Sequence, residues 1–341
     1  MKIEILTDKN IDEYEFFVNS QENSLIHYSI KYRNFLSSII GCESHYLIAR
    51  LGEKIQGIFP LMIKNGPLGK VLNSLPFFGS HGGILSKNEL ATNLLLDHYS
   101  KFVKSENFSS STIILNPFEP QSIYSGIFFN ERDYRVGQIT FFEKKYLSLE
   151  QLFEKFHSKT RNMIRKAIKN RIEVEIDNNQ CDFLMKTHIE NISRLNGTFK
   201  QKSFFENLNV FFKEGIDYNI YVAKINGRII SALLLFYFNG TVEYFMPVVD
   251  FEYKNLQPLS LIICKAMIDS IEIGFKKWNW GGTWKEQSGV YRFKSRFGAK
   301  DFKYSYLINV ANKELYNAKR EFLLKHYQGF YVLPFNKLKV I

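Results

Sequence analysis

Two separate stretches of this chain carry short β-rich runs broken by turn residues, and they read alike. His45 to Lys64, HYLIARLGEKIQGIFPLMIK, gives two such runs around the turn Leu51-Gly52-Glu53-Lys54. Tyr218 to Val248, YNIYVAKINGRIISALLLFYFNGTVEYFMPV, gives three, separated by Asn226-Gly227 and Asn239-Gly240. Asn-Gly between β-rich runs is a strong hairpin signal, because both turn residues take positive φ. The phrase YLIARLGEKIQGIFPLMI matches YVAKINGRIISALLLFYF well enough to predict an internal duplication, two copies of one α/β unit.

Helical spacing governs much of the rest. Residues 1–40 predict a first short strand and then helix, with Phe16, Phe17, Ile30, Tyr32, Phe35 and Leu36 on apolar faces. Between the copies, from Leu147 to Arg171, Ser148 and Gln151 have the form of a capping box. Phe153, Phe156, Thr160, Met163 and Ala167 then recur as one buried stripe. Arg161, Arg165 and Lys169 lie four apart on another face, with Lys155, Lys159 and Lys166 nearby; such a run is ordinarily a solvated face. Residues 254–274 predict a long helix with Pro258 in its first turn, where the missing N–H costs little, and Gly274 at its end. Leu261, Ile262, Ala266, Ile268 and Ile271 form its core face. The strand that follows puts Trp278 and Trp280 on one face and Lys277 and Asn279 on the other. Residues 312–328 predict a basic amphipathic helix. The tail FYVLPFNKLKVI, with Lys337 and Lys339, suits packing on its own domain or peripheral contact with a membrane surface.

A length of 341 residues exceeds one typical domain of ~150 residues, so two domains are expected. Hydrophobic content of 45% and aromatic content of 16% supply packed cores. The 45 Lys+Arg against 34 Asp+Glu give a net charge of +11, which suits a phosphate-rich donor, RNA or a lipid head group, or reflects a bias in composition. Cys42, Cys181 and Cys264 are odd in number and far apart, so neither a disulfide framework nor a zinc site is expected. The N-terminus carries acidic residues where a signal peptide needs an apolar core. The longest apolar run, Ile229 to Phe238 with Ser231 inside it, is about half the ~20 residues a spanning helix needs. The expectation is a soluble cytoplasmic protein, at most at the inner face of a membrane. No P-loop, G-x-S-x-G or H-E-x-x-H motif is present, which argues against nucleotide hydrolysis, serine-esterase and zinc-hydrolase chemistry.

The richest chemistry lies in Trp280 to Ala299, WGGTWKEQSGVYRFKSRFGA. A strand ending in glycines lets a backbone approach a ligand closely. Cations just beyond it suit an anionic or carbonyl-bearing group. These residues resemble the FemAB-like branch of the GNAT acyltransferases, whose second GNAT-like domain ends in [DN]-x-G-G, a loop, and G-[VL]-Y-x-F-K-x-x-F-G. The matching positions are Asn279, Gly281 and Gly282, then Gly289, Val290, Tyr291, Phe293, Lys294, Phe297 and Gly298. Pro76 to Gly83, PFFGSHGG, resembles the family's first-domain P-x-x-x-x-x-G-G loop, and Ser158 to Lys169, SKTRNMIRKAIK, its basic helix opening the second domain. The three segments run in order over roughly two thirds of the chain.

The resemblance implies an α/β (α+β) fold of two tandem GNAT-like domains with mixed, largely antiparallel sheets flanked by helices. The expected boundaries are 1–146, 147–311 and a C-terminal helix and tail, 312–341. It also implies acyl transfer to an amine, with an oxyanion donor from the backbone of a splayed strand, here Thr241 to Met246. Glu243 and Tyr244 point to opposite faces of that strand, so only one faces the cleft, as base or as proton donor. Lys294 falls at the family's cleft lysine. Gly281, Gly282, Thr283, Tyr291 and Arg292 are expected to line the cleft with it, Arg161 and Arg165 to assist anion binding, and Ser80, His81, Gly82 and Gly83 to line the acceptor site. No metal is expected.

Two departures bear on the substrates. Acetyl-CoA-using GNATs hold the donor pyrophosphate on a glycine-rich turn, yet Phe251 to Leu259, FEYKNLQPL, has no glycine. The donor is therefore left open between acyl-CoA (acetyl-CoA) and aminoacyl-tRNA. No heptad-bearing insertion like the helical arm of the peptidoglycan-bridge aminoacyltransferases interrupts Cys181 to Gly215, which turns the expectation toward an amino sugar on a nucleotide or lipid carrier as acceptor. A tRNA-dependent aminoacyltransferase, and a non-catalytic protein binding RNA or a membrane surface, are the alternatives.

Overall fold

The computed structural model describes residues 1–77, 81–143, 148–284 and 287–338. The fold has two units: Met1–Val136 with Phe302–Ile341, and Gly137–Asp301. The first is thus built from both ends of the chain. The last thirty residues, expected as a separate piece, fall within it, because the strand preceding them pairs there.

Unit 1 contains β1 (Lys2–Ile5), α1 (Ile11–Ser20), α2 (Ile30–Ile40), β2 (Glu43–Ser44), β3 (Leu47–Leu51), β4 (Lys54–Phe59), β5 (Met62–Lys64), β6 (Val71–Asn73), β7 (Leu85–Ser86), α3 (Glu89–Ser105) and β8 (Ser110–Ile114). An antiparallel sheet runs β1-β3-β4-β7, with the β3–β4 turn made possible by Gly52 at φ 55°. A second sheet runs β2-β5-β6-β8. Its β6 and β8 are parallel over three pairs, Val71–Ser110, Leu72–Ser111 and Asn73–Thr112, with α3 as the crossover between them. Parallel neighbours need such a connection, whereas the antiparallel pairs close with tight turns.

β9 (Glu131–Phe141) begins in unit 1 and ends in unit 2. Unit 2 continues with α4 (Leu149–Lys155), α5 (Ser158–Lys169), β10 (Glu173–Ile176), α6 (Cys181–Ser193), α7 (Lys202–Glu206), α8 (Leu208–Phe211), β11 (Tyr218–Ile225), β12 (Arg228–Phe238), β13 (Thr241–Val249), α9 (Pro258–Ile273), β14 (Lys277–Thr283) and α10 (Ser288–Ser295). β15 (Lys300–Val310) returns to unit 1, where Tyr306–Val310 pair antiparallel with β8, and α11 (Arg320–His326) follows.

The sheet order in unit 2 is β10-β11-β12-β13-β14-β9. Both hairpins form at the Asn-Gly pairs, with φ of 50° and 77° at Asn226-Gly227 and 43° and 75° at Asn239-Gly240. On one sheet face Trp278, Trp280, Val242 and Tyr221 pack under α4, α5 and α9. Pro258 occupies the first turn of α9 and Gly274 caps its end at φ 101°. The Ser148–Gln151 capping box closes as expected, but the stripe from Phe153 to Ala167 is two helices. Phe156 turns extended and the His157 side chain accepts from the Lys159 N–H, starting α5 afresh. The basic segment 312–328 is likewise shorter than its pattern, a 3-10 turn at Lys313–Tyr316 and then α11. Asn312 caps the turn, and extended Lys319 separates the two. Phe330, Tyr331, Val332 and Leu333 of the tail are buried in unit 1, while Lys339 lies outside the described residues.

Candidate functional site

β13 and β14 run parallel and pair only over Thr241–Lys277, Val242–Trp278 and Glu243–Asn279. Both strands continue beyond that register, β13 to Val249 and β14 to Thr283. From Tyr244 onward β13 therefore has no partner in β14, and the two strands splay. The register with β12 also shifts there: Leu235 faces Tyr244 and Leu234 faces Met246, so Phe245 is the extra residue of a bulge.

The alternation of β13 decides which side chain stands where. Tyr244 turns to the core face, its ring 4.9 Å from Trp280 and 6.2 Å from Trp278, and burial pushes its hydroxyl far above the ordinary phenol range. Glu243 turns the other way and is 4% exposed. Its Oε2 accepts from Asn279 Nδ2 at 2.8 Å, and its Oε1 has no hydrogen-bond partner. Burial drives this carboxyl up to about 8, against the lowering effect of the Asn279 amide. The structure thus separates Glu243 from Tyr244.

Asn279 links Glu243 to the glycine turn, since the Gly281 N–H donates to Asn279 Oδ1 at 2.9 Å. A Cβ on Gly281 would meet no atom within 4 Å; its φ of 71° is what calls for glycine. This left-handed residue breaks the two-residue alternation of β14. Trp280 and Thr283, three apart, both reach β9, Trp280 donating to Thr140 and Thr283 to Gln138.

Lys294 meets the far end of the same turn. Phe293 and Phe297, four apart on α10 and just beyond it, pack against Trp280 and fix the helix. Lys294 is 6% exposed between them, and its Nζ donates to Thr283 Oγ1 at 2.8 Å and to the Gly282 carbonyl at 3.5 Å. Burial lowers its ammonium to about 7. Gly298 at φ 73° lies so near Lys155 that a Cβ would come within 2.6 Å of Cγ. The segment Asn279–Thr283 therefore joins a buried carboxyl at one end to a buried amine at the other.

The remaining sequence candidates fall elsewhere. Tyr291 donates to Asp301 at 2.7 Å, and exposed Arg292 donates to the Ser288 carbonyl of its own helix. Arg161 is committed to the last carbonyls of α4, those of Phe153 and Phe156. Exposed Arg165 contacts Asn162 and lies 5.1 Å over the Phe153 ring. In unit 1, His81, Gly82 and Gly83 are interior. The expected acceptor lining is instead tight packing: Cβ atoms on the two glycines would come within 2.7 Å of the Ser74 carbonyl and 2.6 Å of the Tyr124 hydroxyl. Ser80 lies outside the described residues.

Two residues escaped the sequence reading. Gln138 is fully buried on β9, and no local sequence signal marks it as interior. Lys200 lies 5.4 Å over the Phe245 ring, next to the bulge, and burial pushes it down to about 7. No group of acidic, His or Cys side chains suited to a metal occurs among the described residues.

The motifs implied a splayed strand at Thr241 to Met246; the structure shows β13 parting from its parallel neighbour β14 beside a β-bulge. Residues 154–303 match the family model described as "Acetyltransferase (GNAT) domain". The chain carries a GNAT acyltransferase domain. Among solved structures, this acyltransferase is similar to FemX at 16% identity and a TM-score of 0.72, over 93% of this chain and 99% of that one. A tandem GNAT protein from the clavulanic acid biosynthesis pathway is similar at 9% identity and 0.52, over 90% and 97%. The C-terminal domain of a putative lysylphosphatidylglycerol synthetase from Agrobacterium fabrum is similar at 11% and 0.53, over 89% and 92%. No curated protein matches by sequence. The tandem GNAT fold and the acyltransferase class expected from the motifs both hold. No helix among the described residues is long and apolar enough to cross a membrane.

Proposed function

We propose that this GNAT-type enzyme transfers an activated acyl group to the amine of a cell-envelope glycan precursor, an amino sugar on a nucleotide or lipid carrier. The observation that carries the reading is Glu243, a buried carboxyl with one oxygen unpartnered, set at the point where β13 and β14 separate. An amine attacking an acyl carbonyl must lose a proton, and the oxygen of the tetrahedral intermediate must be stabilised. Glu243, a stronger base for its burial, takes that proton when ionised. Lys294 in its ammonium form, with the backbone of the splayed strand, stabilises the oxyanion. The leaving group of the donor departs as the C–N bond is completed. Tyr244 serves as a wall of the aromatic core. The envelope acceptor rests on the FemAB-like motifs, together with the likeness to FemX and to the lysylphosphatidylglycerol synthetase domain.

One observation favours the second reading, aminoacyl-tRNA as donor. The first turn of α9 begins at Pro258, which has no N–H, and its N-cap Gln257 holds φ 64° without being glycine. A backbone cradle for pyrophosphate is correspondingly poorer there.

The test is calorimetric titration of acetyl-CoA and of charged tRNA into the protein, followed by turnover on nucleotide-linked amino sugars with whichever donor binds. N-acylated sugar formed by the wild type and lost in Lys294→Ala, with the variant still folded, supports the reading. Unchanged turnover in that variant removes Lys294 from the site. Acylation of lipid or peptide amines alone overturns the sugar acceptor.

A further inference from the structure

Lys294 does not hold its own position. Its Nζ reaches Thr283, 1% exposed, and Thr283 reaches fully buried Gln138 on β9 at 3.4 Å. Gln138 Nε2 in turn donates to the Tyr291 carbonyl at 3.2 Å, one turn before Lys294 on α10. The order of donors along this chain is forced. A backbone carbonyl only accepts, so the Gln138 amide must present its N–H₂ to Tyr291 and its oxygen to Thr283. The single Thr283 hydroxyl hydrogen is then spent on Gln138, and what Thr283 offers Lys294 is a lone pair. Lys294 can only donate to it, whether charged or neutral.

We propose that Gln138 is a positioning residue of the acyl-transfer site, fixing through Thr283 both the place of the Lys294 amine and the direction in which it donates. The inference rests on the reading of Lys294 as a cleft cation. Two of the three ammonium hydrogens are held, by Thr283 and the Gly282 carbonyl, which leaves the third for substrate. When Lys294 is neutral, its lone pair cannot turn back onto Thr283 and faces the same way. β9 also supplies its own control. Thr140, two residues on, donates to the Phe297 carbonyl and accepts from Trp280, bracing the other end of α10 without touching Lys294.

The experiment compares Gln138→Glu, Gln138→Leu and Thr140→Val in the full chain. Turnover is followed against pH, and the Lys294 side chain is titrated by NMR of its ε-carbon, a readout that needs no substrate. A carboxylate at position 138 faces Thr283 and raises the Lys294 pKa by about 1 unit or more, moving the alkaline limb of the rate profile up with it. Gln138→Leu lowers kcat by about ten- to a hundredfold with little change in KM. Thr140→Val lowers Tm and leaves the Lys294 titration where it was. A Lys294 titration unmoved by Gln138→Glu, or moved equally by Thr140→Val, overturns the relay and leaves the role of Lys294 intact. Full turnover in Lys294→Ala would instead remove the reading beneath it, whatever the NMR titration shows.

Discussion

The two units contain the same seam, and among the described residues the C-terminal tail fills only the first. In unit 1, β6 and β8 run parallel over three pairs ending at Asn73–Thr112, with α3 crossing between; in unit 2, β13 and β14 do so over three pairs ending at Glu243–Asn279, with α9 crossing between. In unit 1 the C-terminal segment lies across the last pair. Tyr331 N–H donates to Asn73 Oδ1, its carbonyl accepts from Asn73 and Thr112, and the Val332 carbonyl accepts from Ser110. The Tyr331 hydroxyl donates to Asp133, which Arg135 also binds. In unit 2 Glu243, at the position of Asn73, keeps one carboxyl oxygen without a partner at 4% exposure. A buried polar atom left unpaired costs stability, and so does a buried amine held near neutrality. The filled seam is structural, and the costly one is where chemistry is expected.

Substitutions at equivalent places should separate the two seams. The largest effect is expected from Glu243→Gln, which removes the proposed base and should lower kcat/KM by about 10²–10⁴-fold. Asn73→Ala in the other seam should leave turnover per folded molecule unchanged while lowering Tm. Equal losses of turnover would erase the distinction. Next, Tyr331→Ala should cost about 3–5 kcal/mol of stability, the range for an aromatic deleted from a core, read from denaturant unfolding. A loss under 1 kcal/mol would mean the tail does not hold the seam.

The proposed catalytic pair, Glu243 and Lys294, should also show opposite pH trends in stability. Lys294 is lowered to about 7, so below that pH both states carry the proton and the folded state bears the full cost; the cost fades as pH rises toward the unfolded value of about 10.5. Lys294→Met should therefore raise Tm more at pH 6 than at pH 10. Glu243 is raised to about 8, so its cost begins above the unfolded value and is complete above pH 8; Glu243→Gln should stabilise more at pH 9 than at pH 5. Thermal melts across pH read both signs, and parallel trends would contradict the assigned charges. In turnover, ionised Glu243 is favoured above about 8 and protonated Lys294 below about 7, so the active form is a minority species that peaks between them and the profile is a bell. The smallest effect is Gly281→Ala, about 1–2 kcal/mol for forcing a left-handed backbone on a side chain, since the space around it is open.

Much of the fold was legible because local chemistry fixes it. Asn226-Gly227, Asn239-Gly240, Pro258, Gly274 and the Ser148–Gln151 box each act within a few residues and formed as their residue types require. The break at Phe156 was hidden because the apolar stripe keeps its period across it. The motif around Lys294 stood out, yet its support did not. Gln138 lies more than 150 positions away in sequence, and nothing local distinguishes it from a surface glutamine. His81 looked like loop chemistry because burial by distant segments leaves no mark on a short glycine-rich phrase. Tyr331, in a tail whose composition suited packing on its own domain ahead of a membrane contact, fills a seam about 260 positions upstream.

That last pairing bears on how the protein is made. At roughly 5–20 residues per second, a ribosome that has just released Val136 needs about 10–40 s more before Tyr331 is synthesised. All of Gly137–Asp301 emerges in that interval and can fold on its own schedule. Until then Asn73, Ser110 and Thr112 lack the tail carbonyls they later bind.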